Sequence, residues 1–128
     1  MPVPTASRLD SVPTYGPYGP AMSVLQLTDA TFDEVVASAD VPVLVEFMAP
    51  WCHPCTMMNR VLEDLASELD GELVIGKIDV DANRDSQVRH AVMGTPTMVV
   101  FVDGREQRRM IGARGKGRLL QEVAEFLP

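Results

Sequence analysis

Trp51-Cys52-His53-Pro54-Cys55 holds the only two cysteines of the chain, separated by two residues. A thiol pair at that spacing has two chemical uses. It can cycle between dithiol and disulfide, or it can supply half of a metal shell. Zinc wants about four ligands, and the other soft candidates are His53, His90 and scattered methionines. His53 stands too close in sequence to complete a shell easily, which leaves zinc bridging between two chains as the metal alternative. Thiol–disulfide exchange is the reading that the surroundings favour.

Those surroundings are a strand and a helix. Val43-Leu44-Val45-Glu46-Phe47-Met48 is a mostly apolar run bounded by Pro42 and Pro50, the pattern of a buried central strand. After the cysteines, Met57, Met58, Val61, Leu62, Leu65, Ala66 and Leu69 recur at helical spacing, with Asn59, Arg60, Glu63, Asp64, Ser67 and Glu68 on the other face. Cys52 therefore starts a helix, and Pro54 falls in the first turn, where its missing N–H costs little. The free N–H groups at a helix start favour negative charge, which lowers the pKa of a thiol placed there. Cys55, one turn further in, is expected to be more buried. One exposed nucleophilic thiol and one sheltered thiol suit exchange chemistry.

The rest of the chain supplies the frame. Val24–Leu27 reads as a strand, followed by a helix carrying Phe32, Val35, Val36 and Ala39, with Thr28 or Asp29 as its cap. Leu73–Val80 reads as a strand with Lys77 inside it, and residues 85–91 as a short helix. Gly94-Thr95-Pro96 leads into a third buried strand, Thr97–Val102. Asp103-Gly104 signals a hairpin, so residues 105–111 return as an antiparallel edge strand ended by Gly112. Leu119, Leu120, Val123, Phe126 and Leu127 stripe a last helix. The order β-α-β-α-β-α-β-β-α predicts an α/β domain, a central mixed sheet with helices on both faces.

Bulk properties narrow the class. The 128 residues suffice for one domain with a sizeable core. A net charge of −7 argues against general nucleic-acid binding. Arg105, Arg108, Arg109, Arg114, Lys116 and Arg118 are opposed locally only by Glu106, a net of +5 that leaves −12 for the rest of the chain. This stretch reads as a charged edge strand and solvated helix start, or else as a docking patch for an acidic partner. No apolar run is long enough to span a membrane, and no basic segment followed by an apolar core marks a secretory signal. Residues 1–21 hold five of the ten prolines and the doubled Tyr-Gly-Pro of residues 15–20, and read as a flexible extension. A cysteine pair without a wider disulfide framework fits a reducing cytoplasm.

With these motifs in place the sequence resembles the thioredoxin family. The resemblance runs from about residue 23 to 127 and is carried by Phe47, Ala49-Pro50-Trp51-Cys52, Pro54-Cys55, Lys77, Asp79, Gly94-Thr95-Pro96-Thr97, Phe101, Gly104, Gly112 and the closing helix. It implies a thioredoxin-like three-layer sandwich over residues 22–128, acting on disulfides of other proteins. Cys52 would attack and Cys55 would resolve. The Thr95–Pro96 bond would be cis and face the disulfide. Trp51, His53, Pro54, Gly94, Thr95, Pro96 and Gly112 would form the substrate-binding rim. Glu46 stands where the family has a buried Asp, and Lys77 where it has the lysine that approaches that acid. The family's pattern further implies a monomer with no bound cofactor, fed with electrons from NADPH through a separate thioredoxin reductase.

The sequence departs from the family at His53 for Gly, Met48 for the first Trp of a pair, Arg60 for a helix-kinking Pro, His90 for an aromatic and Glu46 for Asp. Arg60 predicts a straighter helix. Burial would raise the Glu46 pKa and suit it to take the Cys55 proton; the plainer reading is an ion pair with Lys77. A partly cationic His53 would stabilise the Cys52 thiolate and make the disulfide more oxidising. His90 reads as a surface or half-buried residue without function, and Met48, Met57, Met58 and Met98 as core filling rather than a copper site. The expected activity is protein disulfide reduction. The alternatives are an oxidase or isomerase tuned by His53, and a non-catalytic binding module on the same fold.

Overall fold

In the computed structural model, which describes residues 24–128, strands and helices follow the order that the hydrophobic pattern predicts. They are β1 (Val24–Leu27), α1 (Phe32–Ser38), β2 (Val43–Met48), α2 (His53–Glu68), β3 (Val74–Asp79), α3 (Arg84–Arg89), β4 (Thr97–Val102), β5 (Arg105–Ile111) and α4 (Lys116–Ala124). The sheet order is β1-β3-β2-β4-β5, with β1 and β2 parallel to β3, and β4 antiparallel to both β2 and β5. The expected flexible extension, residues 1–21, lies outside the described residues.

β2 is apolar along most of its length because it is covered on both faces. Strand alternation divides the core accordingly. Val43, Val45 and Phe47, with Val99 and Phe101 of β4, pack against Phe32, Val35 and Val36 of α1. Leu44, Met98 and Val100 point the other way, onto Met58, Leu62 and Leu65 of α2 and Leu119 and Val123 of α4. Met57, expected on the apolar stripe of α2, is instead 63% exposed. A stripe read from spacing spans more of the helix surface than the sheet covers, and Met57 falls at its margin. Arg60 continues α2 without interruption and reaches Asp64 one turn on.

Asp103 and Gly104 both have positive φ, +54° and +79°, the backbone of a two-residue hairpin whose twist matches its strands. Between Val100 and Phe101 the β4–β5 register slips by one residue, leaving a bulge in β5. A bulged, charged edge strand discourages further pairing. The ring of His90 lies 4.8 Å from that of Phe32 and 5.8 Å from that of Phe47, both tilted, and meets Phe101 edge-on at 5.5 Å. The half-buried imidazole thus fills an aromatic position. Burial, and then Arg89, hold its pKa below the usual histidine value.

Candidate active site

Register alone brings the functional segments to one end of the sheet. Met48, the last residue of β2, lies opposite Asp79 at the end of β3, and the Val80 N–H donates to the Met48 carbonyl at 2.8 Å. Phe47 lies opposite Thr97, the first residue of β4, and Thr97 opposite Ile111, the last of β5. Residues 49–55, 80–81, 94–96 and 112 therefore leave the sheet side by side.

Cys52 is the N-cap of α2. Its backbone is extended (φ −86°, ψ 103°), its N–H donates to the Ala49 carbonyl at 3.1 Å, and its sulfur accepts the Cys55 N–H at 3.2 Å. Cys52 and Cys55 form a disulfide, with Cα atoms 5.2 Å apart. The expected contrast between an exposed and a sheltered thiol is absent in this oxidised state, because Cys52 is 3% and Cys55 1% exposed. Bonded to each other, the two residues pack into the cluster of Phe47, Ala49 and Ile78. What distinguishes them is the helix start: only the Cys52 sulfur receives a backbone N–H of the first turn.

The loop before β4 is tied from two sides. The Thr97 hydroxyl donates to the Gly94 carbonyl at 2.6 Å, and the Gly112 N–H donates to the Pro96 carbonyl at 2.9 Å. The Thr95–Pro96 bond is cis, as the resemblance implies. Gly112 has φ +97°, a conformation that only glycine adopts readily. The Thr95 backbone makes no hydrogen bond among the described residues. Trp51 is 72% exposed, yet its indole N–H is held by Asp81 Oδ2 at 2.7 Å. His53 and Pro54 are exposed on the first turn of α2, and Gly94 is exposed beside Thr95. Sequence reasoning missed two neighbours of this rim, Met93 at 94% and Ile111 at 70% exposed. The available signal was a large apolar side chain directly before each rim glycine.

Beneath α2, Glu46 is fully buried, and neither carboxylate oxygen has a hydrogen-bond partner. Lys77 is its register partner on β3, but the two do not form the ion pair considered from sequence; the Lys77 ammonium donates to Asn59 Oδ1 at 3.3 Å. Desolvation raises the Glu46 pKa to about 7, and the positive charge of Lys77 only partly opposes it.

The basic stretch is largely paired within the molecule. Arg108 meets Glu125, Arg109 meets Glu106, Lys116 meets Glu68, and Arg114 and Arg118 both meet Glu122. Arg109 also donates to the His90 and Ala91 carbonyls just past α3. This favours the charged-edge reading over an acidic docking partner. Among the described residues, no three His, Cys, Asp or Glu side chains come together as metal ligands would.

A sheet that delivers a cysteine pair to a helix start, beside a cis-proline loop, defines a thiol–disulfide oxidoreductase of the α/β class. The chain belongs to the thioredoxin family, whose model, described as Thioredoxin, matches residues 23–125. It is 41% identical over 106 residues to the thioredoxin of Mycobacterium tuberculosis, covering 83% of this chain and 91% of that protein. It is 38% identical over 96 residues to the thioredoxin of Pseudomonas aeruginosa, covering 75% and 89%. It is also 41% identical over 104 residues to a bifunctional thioredoxin reductase/thioredoxin of Mycobacterium leprae, covering 81% of this chain and 23% of that protein. The chain is a protein disulfide reductase with a redox-active Cys52–Cys55 disulfide.

Proposed function

We propose that reduction runs through the two cysteines in fixed roles, with residues 22–128 working as one domain. The Cys52 thiolate attacks one sulfur of a substrate disulfide, forming a mixed disulfide and expelling the other substrate sulfur as thiolate. Cys55, deprotonated, attacks the Cys52 sulfur. The Cys52–Cys55 disulfide forms, and the substrate leaves fully reduced with two electrons gained. The observation that carries this assignment is the Cys55 N–H directed at the Cys52 sulfur from the first turn of α2. Negative charge is stabilised on Cys52 and on no other sulfur of the pair.

Glu46 is the base for Cys55. A pKa raised to about 7 leaves it poised to accept a proton at neutral pH. Lys77 limits that rise from the neighbouring strand. Trp51, His53, Pro54, Gly94, Thr95, Pro96 and Gly112 form the docking rim, extended by Met93 and Ile111. An exposed apolar surface around a free Thr95 backbone suits an extended substrate segment.

The exchange requires no bound cofactor. Electrons return to the disulfide from NADPH through a separate thioredoxin reductase, a partnership supported by the Mycobacterium leprae relative, whose name joins both activities. No helix among the described residues is long and apolar enough to cross a membrane, and the proposed setting is the cytoplasm, with the chain acting as a monomer. Trapping tests the roles. Cys55→Ser should accumulate a mixed disulfide with substrate at Cys52. Trapping through Cys55 in a Cys52→Ser protein, and none in Cys55→Ser, would reverse the assignment.

A further inference from the structure

Arg114 differs from the other members of the basic stretch. Its side chain is only 6% exposed, and every end of it is engaged. Nε donates to the Gly112 carbonyl at 3.1 Å, Nη2 to the Ile111 carbonyl at 2.6 Å, and Nη1 to Glu122 Oε2 at 2.7 Å. Its backbone N–H rests on the Met58 sulfur of α2 at 3.4 Å. One planar cation thus holds two successive carbonyls at the end of β5 and ties them to α4. Burying a guanidinium is costly unless it is paired and hydrogen-bonded. Surface salt bridges of the kind made by Lys116 or Arg118 need no such arrangement.

The carbonyls it grips belong to the docking rim. Ile111 is exposed beside the site, and the Gly112 N–H donates to the Pro96 carbonyl at 2.9 Å. The connection therefore runs from Glu122 on α4 through the Arg114 guanidinium to Gly112, and from Gly112 to the cis-proline loop. Gly112 at φ +97° contributes no side chain of its own to fix this turn. The fork of fixed donors supplies what the glycine lacks.

We propose that Arg114 is a positioning residue for substrate docking: it sets the height and orientation of Ile111 and Gly112, and through Gly112 those of Pro96, so that protein disulfides are accepted. This rests on the rim reading given above. Arg114 touches neither substrate nor sulfur, so its effect should fall on docking and spare the exchange chemistry.

The test compares insulin, whose disulfides must be docked, with a small aromatic disulfide that needs no rim. In Arg114→Met, KM for insulin should rise about tenfold, equivalent to about 1.4 kcal/mol of docking free energy. The kcat for insulin and the rate with the small disulfide should stay within about twofold of the parent, because a loss confined to KM reflects binding shared by ground and transition states. Arg114→Lys keeps the charge without the fork and should recover only part of the KM. Glu122→Gln, which removes the anchor's charge, should raise KM to a lesser extent, and it carries the test if Arg114→Met does not fold. A melting temperature that falls while KM for insulin stays unchanged would overturn the proposal, as would equal losses on both substrates. Ile111→Ser separates the two readings. If it raises KM and the Arg114 variants do not, the positioning role alone falls. If neither moves KM, the rim reading falls with it.

Discussion

At the start of α3, the N–H groups of Asp85 and Ser86 donate to the Asp29 carboxylate at 3.4 and 2.9 Å. At the start of α2, the corresponding donor, the Cys55 N–H, is directed at the Cys52 sulfur. Both helices begin with the same unsatisfied backbone groups. α3 has six residues and one fully buried side chain, Ser86, so little packing holds it. Short helices are marginal alone, and a carboxylate supplied from the β1–α1 loop compensates. Hydrogen bonding from Ser86 holds the Asp29 pKa below the usual carboxylate range. α2 has sixteen residues and is anchored by Met58, Leu62, Leu65 and Ala66, with no acidic residue in its first turn. Because packing stabilises α2 along its length, its first turn is left for a thiolate. On the proposed roles, the same electrostatics serves stability in one helix and reactivity in the other.

Replacing each capping residue should expose that division. Cys52→Ser should reduce insulin turnover more than about 1,000-fold, since the attacking thiol is lost and only the buried Cys55 remains. Its melting temperature should stay close to that of the reduced parent. Residual turnover in this variant would mean that the α2 start is not where exchange begins.

Glu46→Gln probes the ground beneath α2. Release of substrate from the mixed disulfide should slow by about 100-fold, the scale of a lost general base, as read by stopped-flow fluorescence of Trp51. Stability gives an independent check. A carboxyl raised from 4.5 to about 7 in the folded protein contributes most favourably below pH 4.5, and that contribution is lost as pH rises through about 7. The loss amounts to about 3 kcal/mol across that window. Denaturant titrations at several pH values should show it in the parent, and Glu46→Gln should flatten it. An unchanged resolution rate would remove the catalytic role even if the stability effect appears.

Asp29→Ala should lower the melting temperature by a few degrees, with insulin turnover unchanged. A loss of turnover matching that of the Cys52 variant would erase the distinction between the two helix starts. The smallest effect is expected at His53, exposed at the first position of α2. His53→Gly removes a neighbouring imidazole and should make the pair more reducing by about 10–30 mV. A potential that does not move would assign the thiolate's stabilisation to the backbone alone, and a parent potential well toward the oxidising end would revive the oxidase or isomerase alternative.

Much of this protein is written in short-range signals. The short apolar runs of β2 and β4, the helical stripe behind Cys55, Pro54 in a first turn and Asp103-Gly104 at a hairpin each act within a few residues, so the order of elements and the site of the dithiol were legible. The cis Thr95–Pro96 bond was legible only through resemblance, because the local chain does not demand it. What stayed hidden was the choice of partner across the fold. Thr28 or Asp29 looked like the cap of the next helix, yet that helix starts at Phe32 with Thr31 as N-cap, and the Asp29 carboxylate crosses to α3. Glu46 and Lys77 looked like a pair, yet Lys77 turns to Asn59 and leaves the acid alone. Five cations of the basic stretch looked available to an outside partner, and each found a carboxylate within the chain. A charge has no periodicity to announce its partner; which opposite group lies within reach depends on register and packing, and those exist only once distant segments have come together.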